Sequence, residues 1–167
     1  MNKQVWIEKA LGLGIQEFEI YQSTTVEKEM TWFQGQMDTL VSSKVTGTSI
    51  RGIVDGKMAN MALEEIDDSM CETVLKSLIE QAHIISNEET DSLRKPEPIE
   101  YAKKDVTWNM ASTEYVKDIL QSLEAKILAY DPRVIQVGYL GYSQGSGSRS
   151  IVNSLGMDVQ DADEMQY

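Results

Sequence analysis

The residues of this chain that could do chemistry are few, and none recurs at the spacing of a known catalytic motif. His83 is the only histidine. A zinc site of the HExxH type uses two histidines one helical turn apart, so this chain cannot build one alone. No carboxylate or thiol is placed to orient His83 as in a catalytic triad. We therefore interpret His83 as a partly buried structural residue.

Cys71 is the only cysteine, which excludes an internal disulfide and a thiolate metal cluster. It stands in the first turn of a predicted helix, where the helix dipole lowers the pKa of a thiol. Its acidic neighbours act in the opposite direction, and its position matches the buried stripe of that helix. The sequence therefore predicts a core cysteine rather than a nucleophile.

A Gly/Ser run and two acidic pairs are the remaining candidates for a binding site. Gly145–Ser148 could cradle a phosphate, but it lacks the P-loop lysine and no helical pattern follows, so we predict a flexible hairpin loop. Glu64–Glu65 and Asp67–Asp68 lack EF-hand spacing, and electrostatics at the start of a helix explain them better. We expect no catalytic, cofactor-binding or metal-binding residue in this chain. A hydrolase that uses two carboxylates alone is the least favoured alternative.

Charge and composition limit the class of protein. The chain has 167 residues and a net charge of −12, and its densest basic pair is Lys103–Lys104. A surface this acidic repels phosphate backbones, so we expect no direct binding to nucleic acid. The N-terminus lacks the apolar core of a signal peptide, and no apolar run approaches the ~18 residues of a membrane span. These features predict a cytoplasmic protein that does not enter a membrane.

The elements that would position any site are mostly strands. Short runs rich in β-branched and aromatic residues, broken by glycines, predict a five-strand antiparallel meander. Its strands are 17–22, 26–34, 37–46, 49–54 and 57–63. In the first strand Phe18 and Ile20 are predicted to face the core, with Glu19 on the opposite, exposed face. Asp55-Gly56 predicts a type I′ hairpin turn, because both central residues of that turn need positive φ.

Three amphipathic helices and a second hairpin complete the prediction. A helix capped by Asn2 is predicted over 3–13, another over 69–86 with a capping box at Ser69, and a third from Ser112 or Thr113 to about 130. The predicted apolar face of the third helix is Val116, Ile119, Leu120, Leu123 and Ile127. Strands are predicted at 134–143, 149–153 and 157–160, with a short strand or irregular segment at 101–108. The three tryptophans are expected to be core or interface anchors: Trp6, Trp32 and Trp108.

The fold class that results is α+β, a mostly antiparallel sheet packed by amphipathic helices and followed by a smaller helix-plus-hairpin unit. Residues 1–86 form the predicted core, the polar stretch 87–100 with two prolines forms an exposed linker or long loop, and 101–167 form the helix-plus-hairpin unit, within the same N-terminal domain. Because a new hairpin is followed only by the acidic DADEMQY, we expect the chain to be a domain or a short relative of a longer protein.

The order of these pieces is distinctive. A Gly-terminated helix precedes EFEIY, then come FQGQMD, the hairpin TGTSIRGIVDGKMANMAL, an amphipathic helix, a Pro-containing stretch and finally IVNSLGMDV. In that order the chain resembles the N-terminal domain of the TldD/PmbA family, historically called modulators of DNA gyrase. The most specific residues are Gly47–Lys57 and Asn153–Gly156.

The resemblance implies a cytoplasmic system of proteins that pair as homo- or hetero-oligomers. In that family the TldD branch is a zinc metallopeptidase whose HExxxH motif lies in a C-terminal domain, and the PmbA branch, also called TldE, lacks the motif and serves as its partner. No catalytic residue carries over to this chain, which has one histidine and ends at Tyr167. The resemblance therefore implies no cofactor here, with zinc held in the missing C-terminal domain.

A sheet edge gives this non-catalytic chain a means of recognition. Main-chain pairing binds extended peptides with little regard to their sequence. We predict Met37–Thr46 or Arg149–Asn153 as the edge that pairs with an extended or unfolded peptide. The expected function is a non-catalytic N-terminal domain that supports assembly and substrate access in a TldD/PmbA-type peptidase system. A stand-alone protein-interaction module without any peptidase is the alternative.

Overall fold

The computed structural model of the protein describes residues 1–64, 66–86, 88–98 and 110–166. Its helices are α1 (Lys3–Gly12), α2 (Cys71–Ile84) and α3 (Thr113–Leu128), with a 3₁₀ turn at Asp68–Met70. Its strands are β1 (Glu17–Phe33), β2 (Gln36–Val54), β3 (Lys57–Leu63), β4 (Leu140–Asn153) and β5 (Asp158–Gln166). They form one five-stranded sheet in the order β3-β2-β1-β4-β5. The predicted α+β class is confirmed.

The predicted meander of five strands within residues 17–63 is wrong in its divisions. The first two predicted strands are one strand of 17 residues, β1, and the next two are one strand of 19 residues, β2. Ser23–Thr25 and Gly47 do not interrupt them, because β-branched residues on both sides keep the backbone extended. The last two strands of the sheet come instead from the C-terminal part of the chain.

Two-residue turns join the first three strands. Asp55 and Gly56 have φ of 50° and 75°, so the predicted hairpin turn is confirmed. Gln34 and Gly35 repeat the arrangement between β1 and β2, with φ of 49° and 79°. The β2–β3 pair is antiparallel, with Val54 opposite Lys57 and Thr48 opposite Leu63.

The C-terminal hairpin differs from the prediction on its first strand. Strand β4 begins at Leu140 rather than Val134, and it runs through the Gly145–Ser148 segment that we predicted as a loop. A Cβ atom on Gly145 would lie 3.2 Å from the carbonyl oxygen of Val26, so the glycine lets strand β1 approach closely. The predicted turn at Asn153–Gly156 is confirmed, and β5 returns from it.

The helices begin where local hydrogen bonds satisfy their first N–H groups. Asn2 caps α1 through Val5 N–H, and Ser112 caps α3 through Tyr115 N–H, as predicted. The predicted capping box at Ser69 is wrong. Asp67 instead accepts from Ser69 N–H and begins the 3₁₀ turn, which leads into α2 at Cys71.

The described chain divides into two compact units. Unit 1 contains Met1–Thr24, Val45–Ala102 and Ser148–Asp161. Its core joins α1 and α2 to the sheet, and it is made of large apolar side chains, among them Trp6, Phe18, Ile20, Ile50, Leu75 and Leu78. Unit 2 contains Thr25–Lys44, Lys103–Gly147 and Ala162–Tyr167. Its smaller core places Val116 and Leu120 of α3 against Met30 and Trp32 of β1.

Residues 88–98 form no helix or strand, but they are held on unit 1. Asp91 N–H donates to Gly56 O at 2.9 Å, and Leu93 N–H donates to a carboxylate oxygen of Glu17 at 2.6 Å. Leu93 is buried. The other side chains of this segment are mostly exposed, so the predicted linker or long loop at 87–100 stays a prediction. The predicted strand at 101–108 and Trp108 lie outside the described residues.

Candidate functional site

The first candidate site is an unpaired sheet edge on strand β2. Strand β3 ends opposite Thr48, so its pairing with β2 covers only Thr48–Val54. On that side of β2, no described strand pairs with the preceding residues. We call residues Gln36–Lys44 of unit 2 the free edge. The predicted peptide edge, Met37–Thr46, overlaps it at residues 37–44.

Backbone alternation identifies which residues of the free edge face outward. Next to a two-residue turn the flanking residues form a hydrogen-bonded pair, so Val54 points its N–H toward β3. Every second residue before it does the same, which assigns Leu40, Ser42 and Lys44 to the outer side. Thr39 confirms this phase within the free edge, because its N–H donates to Thr31 Oγ1 on β1 at 3.0 Å. The Gln34–Gly35 turn would by itself set the opposite phase, so the alternation shifts by one residue between Gln36 and Thr39.

The side chains of the free edge are exposed on both faces of the strand. Met37 and Leu40 are each 44% exposed, and Val41 is 53% exposed. Asp38 and Lys44 are the only charged residues in the segment. Soluble proteins usually protect long sheet edges with charges, prolines or covering elements. Among the described residues no strand covers this one.

Helix α3 holds the turn that begins the free edge. The buried Glu124 accepts from Trp32 Nε1 at 2.7 Å and from the backbone N–H of Gly35 at 3.1 Å. One carboxylate therefore ties the helix to both β1 and the β1–β2 turn. Charge-assisted hydrogen bonds of this kind are roughly twice as strong as neutral ones, so the start of the free edge is fixed in place.

The entry to α3 is fixed by a buried glutamine on β4. Gln144 Oε1 accepts from Ala111 N–H at 2.9 Å, and its Nε2 donates to Ala111 O at 3.2 Å. Tyr142 O–H donates to the same Oε1 at 3.1 Å, and burial raises the pKa of that phenol. Gln144, next to the segment that we predicted as a flexible loop, thus joins β4 to the start of α3.

The apolar face of α3 is narrower than predicted. Val116 and Leu120 are buried, whereas Ile119 and Leu123 are exposed. The reason is that Glu124, not an apolar residue, completes the face that meets the sheet. The predicted stripe therefore mixes two faces of the helix.

The sequence-predicted chemical residues do not meet in the structure. Cys71 is buried in the core of unit 1, as predicted, and burial raises the pKa of its thiol. His83 is exposed rather than partly buried, with its Nε2 3.7 Å from a carboxylate oxygen of Asp55. Asp67 and Asp68 accept hydrogen bonds at the entry to α2, which agrees with a helix-start role. Within the described residues no group of His, Cys, Asp and Glu is arranged to hold a metal ion.

The second predicted peptide edge is wrong. Arg149–Asn153 lies in β4, which the sheet places between β1 and β5. Strand β5 is longer than the predicted 157–160 and occupies the side of β4 that we expected to be open.

Sequence reasoning missed an ion pair in unit 1 whose carboxylate is buried. Glu19 is 1% exposed, although we predicted it on the solvent face, and it accepts from Arg51 Nε at 2.9 Å. Asn153 Nδ2 donates to the other carboxylate oxygen at 3.3 Å. The sequence did contain a signal. One charged residue stands among apolar residues in each of two strands, Glu19 in EFEIY and Arg51 in SIRGIV, and a buried charge needs an opposite partner nearby.

No described helix has the length and apolar character needed to cross a membrane.

Comparison with protein families identifies relatives of both parts of the chain. The model of PmbA/TldA metallopeptidase domain 1 matches residues 18–86, and that of the PmbA/TldA metallopeptidase central domain matches residues 107–166. A comparison with curated proteins found no match. The family models separate within residues 87–106, and the predicted division at 87–100 stays a prediction.

Solved structures share the fold at low sequence identity. TldE from Thermococcus kodakarensis has a TM-score of 0.81 and 18% identity, over 97% of this chain and 37% of that one. A candidate modulator of DNA gyrase from Bacteroides thetaiotaomicron has a TM-score of 0.80 and 18% identity, over 98% of this chain and 38% of that one. Another from Thermotoga maritima has a TM-score of 0.76 and 19% identity, over 98% of this chain and 37% of that one. The chain thus spans less than two fifths of the length of these proteins.

Proposed function

The chain belongs to the PmbA/TldD metallopeptidase family, and from that premise we propose that it is a non-catalytic part of a peptidase system. In this role the free edge, Gln36–Lys44, binds extended peptide by adding it to the sheet as a strand. The observation that carries the proposal is the outward-facing backbone of β2 before Thr48, with which no described strand pairs.

The residues of this chain do not fit the metal that the family name implies. Catalytic zinc takes three protein ligands, usually including histidine, and leaves one position open. The only histidine, His83, is exposed, and the described residues contain no cluster of metal ligands. We therefore assign the metal and the bond-breaking step to a part of the system other than this chain.

We also propose a cytoplasmic location. The buried, unpaired thiol of Cys71 is suited to a reducing compartment, where free cysteines persist.

Hydrogen exchange tests the peptide-binding edge directly. The protein is labelled alone and with an excess of an unstructured peptide, and protection is followed at Leu40, Ser42 and Lys44. We expect these amides to gain protection, because each donates outward to the added strand. The proposal fails if the free edge gains no protection while peptide binding is detected elsewhere on the chain.

A proline at Ser42 provides the matched test by mutation. Ser42→Pro removes an outward N–H without removing a bond to β1, since proline is tolerated at an open edge. We expect at least about a fivefold loss of peptide affinity, the cost of one hydrogen bond and the added ring. Ser42→Ala keeps the N–H and should bind as the unmodified protein does. Equal affinity for both variants would contradict the assignment.

A second candidate function, assembly with another family chain, is favoured by the charges of the free edge. If two copies pair antiparallel about Val41, Asp38 of each copy lies opposite Lys44 of the other, and Leu40 lies opposite Ser42. Opposite charges directly across a strand pair stabilise it by roughly 0.2–1 kcal/mol each. The edge is therefore self-complementary.

Light scattering with charge exchange tests this pairing. Asp38→Lys should lower the dimer fraction, because two lysines then face each other in the pair. The double variant Asp38→Lys/Lys44→Asp should restore it. If neither variant alters the dimer fraction of a protein that does dimerise, the free edge is not the interface.

A further inference from the structure

Unit 1 contains a cavity of about 450 Å³ that lies apart from the free edge in sequence and has no part in the proposed function. Its lining includes the ion pair between the buried Glu19 and the partly exposed Arg51, the loop at Arg94–Glu97 and the strands on either side of the Asn153–Gly156 turn. A buried carboxylate is costly unless a charged or polar partner satisfies it. Arg51 meets that need and also reaches the cavity.

Arg51 is held by one edge of its guanidinium group. Its Nε and Nη2 both donate to the same oxygen, Oε1 of Glu19. Among the described residues Nη1 has no acceptor, and the side chain is 43% exposed while that of Glu19 is 1% exposed. The buried carboxylate thus fixes the orientation of the arginine, and the second edge remains available in the cavity.

The cavity is lined by three cations, Arg51, Arg94 and Lys95, and by three anions, Glu19, Glu97 and Asp158. Glu97 pairs with Arg94 at 3.1 Å, and Asp158 attracts the ammonium of Lys3, acting against the burial that lowers the pKa of that lysine. Lys95 lines the cavity without an ion-pair partner among the described residues. The second edge of Arg51 and the ammonium of Lys95 are therefore the cationic groups of the lining to which no described carboxylate is bonded, and together they can receive an anion.

The remaining lining is apolar. Ile151, Met157 and Val159 come from the β4–β5 hairpin, and Pro96 comes from the facing loop. This combination suits an anion attached to an aliphatic group better than a free inorganic ion, because binding pockets combine an apolar wall with a few placed polar groups.

We propose that this cavity binds a carboxylate on an aliphatic or peptide group, received by Arg51 with Lys95 as the second cation. Arginine suits this ligand because its planar group offers paired N–H donors to the two oxygens of a carboxylate. The carboxylate can be the C-terminus of a peptide or the side chain of Asp or Glu.

Nuclear magnetic resonance titrations distinguish these sources. The probes are N-acetyl-trialanine with a free C-terminus, the same peptide as its C-terminal amide, N-acetyl-aspartate amide, and inorganic phosphate. We expect the free acid or the aspartate derivative to shift the amide signals of Ile151, Met157 and Val159, and whichever binds identifies the source. Equal binding of the trialanine amide, or stronger binding of phosphate, would overturn the proposal.

Variants test the two cations separately. Arg51→Lys keeps the charge opposite Glu19 but removes the second edge, and it should weaken carboxylate binding about tenfold, as expected for one charge-assisted hydrogen bond. Lys95→Met should weaken carboxylate binding severalfold. Because this substitution leaves the Glu19–Arg51 pair intact, it still tests the site if Arg51→Lys fails to fold. Lys117→Met, on the exposed side of α3, changes the net charge equally and should have no effect. Unchanged affinity in Lys95→Met and in folded Arg51→Lys would refute the site.

Discussion

At the scale of single residues, three buried polar side chains organise this protein. Glu124 ties α3 to the β1–β2 turn, and Gln144 ties Ala111, which precedes the Ser112 cap of α3, to β4. Asn153 accepts from Leu155 N–H and Met157 N–H, each at 3.0 Å, and donates to Arg94 O at 2.9 Å. Each satisfies main-chain groups of a turn or loop, which is why polar residues are tolerated at these positions.

Asp68 provides a test of pH dependence. Its Oδ1 accepts from Asn2 N–H and from Trp6 Nε1, each at 2.9 Å, and these bonds lower the pKa of the carboxyl from its ordinary value of 3.8. Because the pKa is lower in the folded state, the stabilisation is present above that ordinary value and is lost as the pH falls through the folded value. In urea unfolding, the unmodified protein should therefore be more stable than Asp68→Asn at pH 7. This difference in the free energy of unfolding should shrink as the pH falls below about 3.8.

Asp118 supplies the matched control for Asp68. It is exposed on α3, and no described donor bonds to its carboxylate. Asp118→Asn changes the net charge by the same amount, so its effect on the urea midpoint should stay nearly constant over this pH range. A difference between Asp68→Asn and the unmodified protein that persists at the lowest pH would contradict the linkage.

At the scale of elements, the packing of α2 on the sheet depends on Gly52. A Cβ atom there would lie 2.8 Å from Leu78 Cδ2 and 3.1 Å from Ile15 Cγ2. Gly52 has ordinary φ, so the requirement is space rather than backbone conformation. The glycine in the family-marking motif TGTSIRGIVDGK therefore reflects helix–sheet contact.

Gly52→Ala should lower the free energy of unfolding by about 1–3 kcal/mol, the usual cost of overpacking a core. The loss should be smaller in a Leu78→Ala background, because the side chain that clashes is then absent. Gly47→Ala, in the same strand, is the control, since its Cβ would meet only Ser23 Oγ at 3.8 Å. Additive effects of Gly52→Ala and Leu78→Ala would show that the contact is not the cause.

At the scale of the whole molecule, the net charge of −12 governs long-range interactions. The gyrase-related names of the similar structures do not imply DNA binding by this chain. We predict no binding to a fluorescent DNA duplex, even at about 50 mM salt, where phosphate contacts are strongest. Fluorescence anisotropy checks this, with a lysine-rich peptide as positive control. A rise in anisotropy that disappears with added salt would contradict the prediction.

The sequence by itself determined the α+β class, the type I′ turn at Asp55-Gly56, the caps at Asn2 and Ser112, the core position of Cys71 and the family. These features depend on local patterns, which act within a few residues of the chain. The resemblance likewise rested on motif order along the chain, so no tertiary information was needed.

The tertiary structure alone decided which strands merge, which edges stay open and where charges are buried. Glu19 seemed solvent-facing because alternation gives only the face of a strand, whereas burial depends on what covers that face. Arg149–Asn153 is not an open edge because β5 pairs with β4, whereas no described strand pairs with the outer side of β2 before Thr48, so Met37–Thr46 stays a predicted peptide edge. Both outcomes arise from pairing between distant segments, which no local pattern encodes.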